Sequence, residues 1–274
     1  MKIKTNGLTV NINSPLPVTL KDKTPIIFLH GFTGYADDWE FVIQNLDERY
    51  FPIAVDLPGH GNCEISDNIE AYTESAILNV IQSVIDEFSI SKVVLLGYSM
   101  GGRVSLCYAS QYPSKIKGMI LESSTAGIEN IDERKERFQN DFELAERIEN
   151  IGIEDFTKQW LDQPLFGSLK SISTEEYQKF ISKKLTNNAK GLANSLRGFS
   201  TGKMASKWDK LYALNFPVLI ITGSIDKKYE QIAFKMEKSI PHSEHKIVGD
   251  TGHNVHLEKP KEFIKLVNNF LEKL

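Results

Sequence analysis

Short apolar runs, separated by stretches with helical spacing, constrain the fold of this chain more than any other feature. The runs fall at 25–29, 53–55, 93–96, 118–121, 218–222 and 245–248. Val93-Val94-Leu95-Leu96 is apolar at every position, which suits a strand covered on both faces rather than one. Between the runs, Ile77, Val80, Ile81, Val84, Ile85 and Phe88 recur at helical intervals, as do Phe263, Ile264, Val267, Phe270 and Leu271. Strands alternating with helices are βαβ units, so the expected class is α/β, with a mostly parallel central sheet flanked by helices. A hairpin around Asn6-Gly7, a dipeptide suited to a type I′ turn, is expected ahead of them.

The alternation stops after Leu121 and resumes near Phe216-Pro217. From 129 to 160 nearly half the residues are charged, against 25% for the whole chain, and Phe138, Phe142, Ala145 and Ile148 mark one apolar helical stripe. A helical cap inserted into the core follows, with 1–127 and 209–274 as core and 128–208 as cap.

A chain of 274 residues, 41% of them apolar, can bury a large core without disulfide or metal staples. Thirty-two basic against thirty-six acidic residues give a net charge of -4, which argues against a protein held on nucleic acid by broad phosphate neutralisation. An anionic partner would need a local basic site. Cys63 and Cys107 lack zinc-type spacing and read as reduced thiols. The opening MKIKTNGLTVNI has no apolar signal core, and no run of about 18 apolar residues occurs, so a cytoplasmic protein without membrane insertion is expected.

The chemistry concentrates in Gly97-Tyr98-Ser99-Met100-Gly101, which directly follows the 92–96 strand and precedes a helical run through Val104, Leu106, Cys107 and Ala109. A G-x-S-x-G at a strand-to-helix turn is the setting of a nucleophile elbow. A serine needs a histidine to take its proton and a carboxylate to orient that histidine. Asp226 in GSID and His253 in GDTGH each follow a predicted strand, where an open α/β sheet places its site. His256, three residues on, competes as the base, and Asp250 competes as the acid but lies close in sequence to His253. His242 and His245, flanking the last strand, read as surface residues. HGFTG follows the first core strand, and the backbone N–H groups of Phe32 and Met100 are the expected oxyanion donors. Arg103, one helical turn after Ser99, suits a carboxylate through its bidentate fork.

Together HGFTG, DLPGHG, GYSMGG, GSID and TGH resemble the α/β-hydrolase superfamily from about Pro25 onward. Asn62 and Cys63 depart from the small residue and serine that usually follow DLPGHG there. More narrowly, HGFTGYADDW, GYSMGGR, ERFQND, WLDQPLF and TGHNVH are similar to the menaquinone-pathway synthases that make 2-succinyl-6-hydroxy-2,4-cyclohexadiene-1-carboxylate. That resemblance implies a cofactor-free lyase in which a Ser-His-Asp triad removes a ring proton and pyruvate is expelled. The implied triad is Ser99, Asp226 and His253, and Tyr98, Arg103, Arg137 and Trp160 are the implied substrate contacts. Lys184 of KKLTNN stands where the family has an arginine. The implied partner is a small anionic substrate with three carboxylates, bound by a monomer or small homo-oligomer. A carboxylesterase or C–C bond hydrolase with the same triad is the competing enzyme reading, and a non-catalytic ligand-binding version of the fold is the other.

Overall fold

A computed structural model describes residues 1–5, 7–15, 20 and 22–274. Eight strands form one sheet: β1 (Lys2–Thr5), β2 (Leu8–Asn13), β3 (Thr24–Leu29), β4 (Tyr50–Val55), β5 (Val93–Tyr98), β6 (Ile116–Glu122), β7 (Val218–Gly223) and β8 (Ser243–Val248). Their order is β1-β2-β4-β3-β5-β6-β7-β8. β1 and β2 pair antiparallel with each other, β2 meets β4 antiparallel, and every later pairing is parallel. Gly7 has φ of 74° between the first two strands; Asn6, the other half of the expected turn, lies outside the described residues.

The helices are α1 (Glu40–Gln44), α2 (Glu74–Glu87), α3 (Met100–Gln111), α4 (Ile131–Leu161), α5 (Thr174–Lys184), α6 (Ala189–Phe199), α7 (Lys227–Ser239), α8 (Val255–Glu258) and α9 (Pro260–Leu271). Ile77, Val80, Ile81, Val84 and Ile85 of α2 pack with Val93 and Leu95 in one apolar cluster, while Phe263, Val267 and Phe270 of α9 pack with Val94 and Leu96 in another. Because successive β5 side chains face opposite sides, the strand needs apolar cover on both. This explains its unbroken apolar run. Among the described residues no helix is long and apolar enough to cross a membrane.

β4 lies on one side of β3 and β5 on the other, so the chain reverses direction across the sheet at the β3/β5 pair. The carboxyl ends of strands at such a switch point border a crevice. HGFTG leaves β3 there, and Ser99 leaves β5.

Between β6 and β7 the chain forms helices α4 to α6. Asn130 caps α4 by accepting from the N–H groups of Asp132 and Glu133, and Gly152, at φ 77° and ψ 173°, kinks it. Ala145, Ile148 and Phe156 of α4 bury against Leu192, Ala193 and Leu196 of α6, with Phe32 packed on the same cluster. The buried stripe is narrower than the sequence spacing suggests: Phe142 is exposed, because what α6 sets over its ring is the Arg197 guanidinium and not an apolar side chain.

Candidate active site

Ser99 sits between β5 and α3 at φ 49°, ψ -103°, a sparsely populated conformation for a non-glycine residue. Three contacts hold it. Its N–H donates to the Glu122 carbonyl at 2.8 Å, its carbonyl accepts from Ser124 Oγ at 2.9 Å, and the Arg103 N–H donates to the same carbonyl at 3.1 Å. The sharp turn requires glycine at 101, where a Cβ would stand 2.0 Å from the Leu29 carbonyl oxygen.

His253 Nε2 lies 3.1 Å from Ser99 Oγ, and His253 Nδ1 lies 2.6 Å from Asp226 Oδ2. Asp226 also caps α7, since its Oδ1 accepts from the Tyr229 N–H. The structure therefore brings Ser99, His253 and Asp226 into one hydrogen-bonded chain. His256 points elsewhere, its Nδ1 2.7 Å from Glu122 Oε2. Asp250 is an exposed turn residue with φ of 54°. His245 lies inside β8 rather than flanking it, its Nε2 2.7 Å from Thr222 Oγ1.

A cavity of about 540 Å³ opens over Ser99, lined from below by Phe32, Tyr98, Met100 and His253 and from above by Arg137, Trp160 and Phe166. Behind it, His30 braces the HGFTG turn. Its Nε2 accepts from the Leu57 N–H at 2.9 Å, so Nδ1 carries the proton and donates to the Gly31 carbonyl at 2.7 Å. Tyr98 packs beside His253, with burial holding its phenol neutral far above the ordinary range. Trp160 sits edge-on to Phe32 at 5.4 Å and forms the upper wall with Phe166, backed by the Phe156 ring.

The cations differ in how they are held. Arg103 is buried, donates to the Phe199 carbonyl at 3.1 Å and lies over the Phe199 ring, with no ion pair among the described residues. Burial lowers its pKa to about 10, which leaves a desolvated charge facing the cavity. Arg137 is anchored at 2.8 Å to Asp141, whose other oxygen accepts from the Gly202 N–H. Lys184 requires a correction: it does not line the cavity. Its ammonium donates to the Thr33 carbonyl at 3.4 Å and rests 4.2 Å from the Phe180 ring, because α5 packs behind the HGFTG turn. Neighbouring Lys183 reaches the Asp37 carbonyl instead. The third cation at the cavity is Lys228, exposed on the first turn of α7 and without an ion pair among the described residues. Tyr229 joins it, edge-on to His253 at 4.5 Å. Nothing in the run DKKYE marks either residue until Asp226 is placed.

Cys63 donates to the Asp56 carbonyl, and burial pushes its thiol up to about 12.

The alpha/beta hydrolase fold family matches residues 24–260. The chain is 37% identical over 246 residues to a putative 2-succinyl-6-hydroxy-2,4-cyclohexadiene-1-carboxylate synthase of Bacillus subtilis, covering 90% of this chain and 89% of that one. It is 30% identical to the synthase of that name from Klebsiella pneumoniae, covering 90% and 93%. The solved structure of MenH from S. aureus superposes with a TM-score of 0.90 at 32% identity, covering 96% of this chain and 98% of that one. With the elbow at the switch point and these relatives spanning nearly its whole length, the chain belongs to the alpha/beta hydrolase fold family and, within it, to the 2-succinyl-6-hydroxy-2,4-cyclohexadiene-1-carboxylate synthases.

Proposed function

We propose that the protein is a lyase that removes pyruvate from 2-succinyl-5-enolpyruvyl-6-hydroxy-3-cyclohexene-1-carboxylate, giving 2-succinyl-6-hydroxy-2,4-cyclohexadiene-1-carboxylate in menaquinone biosynthesis. The observation that carries this reading is a histidine-bonded serine opening into the same cavity as two guanidinium groups and an ammonium. A substrate with three carboxylates matches that charge. In this reading His253 takes the Ser99 proton, and Asp226 fixes the imidazole tautomer and stabilises its charged form. The Ser99 oxygen then removes the ring proton next to the succinyl carbonyl. The freed electron pair forms the first ring double bond, the existing one shifts by one position, and the C–O bond to enolpyruvate breaks. The backbone N–H groups of Phe32 and Met100 serve the charge developing on the succinyl oxygen. Tyr98, Arg103, Arg137 and Trp160 hold the substrate, and the chain divides into a core of 1–127 and 209–274 with a cap of 128–208 over the site.

Protein mixed with this substrate should release pyruvate and develop the absorbance of a conjugated diene. Ser99→Ala should slow turnover by about a hundredfold or more, the scale of a lost general base. Near-normal pyruvate release from that variant would remove Ser99 from the reaction. No product alongside robust ester hydrolysis would overturn the reaction class.

A further inference from the structure

Glu122, the last residue of β6, is fully buried, and it touches the serine loop, the segment that follows His253 and the strand that leads to Asp226. Its carbonyl accepts the Ser99 N–H at 2.8 Å, and in the sheet it stands opposite Tyr98, the residue before the nucleophile. On its other side it pairs with Ile221 of β7, the strand that leads into the Asp226 turn. Its carboxylate grips α8 twice: Oε1 accepts the His256 N–H at 2.9 Å, and Oε2 lies 2.7 Å from His256 Nδ1. His256 is three residues beyond His253. Its ring stacks on Trp39 at 4.3 Å and meets the Tyr98 ring edge-on at 5.1 Å, and Tyr98 in turn lies 5.4 Å from His253.

We infer that the buried Glu122–His256 pair is a positioning device that sets His253 against Ser99. Stability alone is a weak reason for a carboxylate in this place, since replacing buried polar or charged partners with well-packed apolar residues is often neutral or stabilising. Geometry is a better one. A flat ring and a single turn of helix packed on aromatic faces can slide, whereas two hydrogen bonds to one carboxylate fix both the rotation of His256 and the register of the backbone that carries His253. The same glutamate fixes Ser99 through its carbonyl, so serine and histidine are referred to one residue. An error of about 1 Å between reacting groups can cost a hundredfold in rate. Neither Glu122 nor His256 lines the cavity, so the pair acts through the triad and not on substrate.

The inference rests on the triad reading, and the test separates the two. Glu122→Leu keeps roughly the volume and removes both acceptors; His256→Gln removes the ring and leaves its backbone N–H bonded to Glu122. For both variants kcat and KM for pyruvate release are measured together with the rate at which phenylmethanesulfonyl fluoride labels Ser99, in wild-type and His253→Ala backgrounds. The expected result is a fall of about tenfold or more in kcat and in labelling, KM within about twofold, and no further fall once His253 is absent. Unchanged kcat in a folded variant overturns the inference. So does an equal loss in the His253→Ala background, which marks a general structural effect, and so does failure of both variants to fold. A wild type whose labelling ignores His253→Ala overturns the triad reading itself.

Discussion

At the scale of single residues, identity and loop position together single out Ser99, Asp226 and His253, because a serine elbow needs a base and an acid at neighbouring strand ends. Charge is less legible. Lys184 and Lys228 are both lysines near a helix end, and only packing decides that the first is buried behind the HGFTG turn while the second stands at the cavity mouth. Lys228 lacks an ion pair among the described residues and so keeps its charge for a ligand. Lys228→Met should raise KM about tenfold with kcat nearly unchanged, since a hydrogen bond to a charged group is worth about 1.5–3 kcal/mol. An unchanged KM in steady-state pyruvate release would take Lys228 out of the site. The histidines behind the turn give a second test. Burial pushes His30 and His60 below their ordinary 6.5; the nearby Asp56 opposes this at His30, and the charge of His30 reinforces it at His60. Below pH 6.5 the unfolded chain therefore binds protons that the folded one refuses, so the stability present above that pH is lost as pH falls. Melting temperature should decline below pH 6.5, and His60→Asn should flatten the decline. An identical slope in the variant would show that other groups control it.

At the scale of elements, continuous apolar runs locate the core strands well because a strand covered on both faces has no alternative pattern to hide in. β8 is less apolar, and its partly buried pattern makes His245 look like a flanking residue when it is within the strand. Glu122 shows the same limit from the other side. A lone acid ending the run GMILE reads as the polar edge of a strand, and its buried pairing with His256 depends on where α8 lands. In α4 the dense charge and apolar stripe specify a helix but not its kink. Gly152 has open space where a Cβ would stand, so sterics with neighbours do not demand glycine. Its φ of 77° with ψ of 173° nevertheless lies in a region almost closed to other residues. Gly152→Ala should therefore destabilise the protein by about 1–3 kcal/mol through backbone strain alone. Chemical denaturation would read this directly, and a neutral result would mean that α4 straightens at no cost.

At the scale of the whole molecule, a chain of net charge -4 is proposed to bind a substrate with three carboxylates, so long-range and local fields oppose each other. Local geometry decides the outcome. Arg103 is buried, Arg137 is half-exposed and paired, and Lys228 is exposed, so the three cations form a gradient from mouth to floor of one cavity. A low-dielectric cleft lined by one sign of charge focuses its field, while acidic groups elsewhere on the surface act only across solvent. Salt should separate these contributions. Raising ionic strength from about 0.01 M to about 0.15 M shortens the screening length from about 30 Å to about 8 Å, which weakens the exposed Lys228 more than the buried Arg103. KM should therefore rise severalfold across that range while kcat holds, and Lys228→Met should flatten the rise, since the remaining guanidinium groups are better shielded from solvent ions. A KM that falls with salt would mean that the overall negative charge, not the cavity, controls capture. In that case the three cations would not be acting together on the substrate.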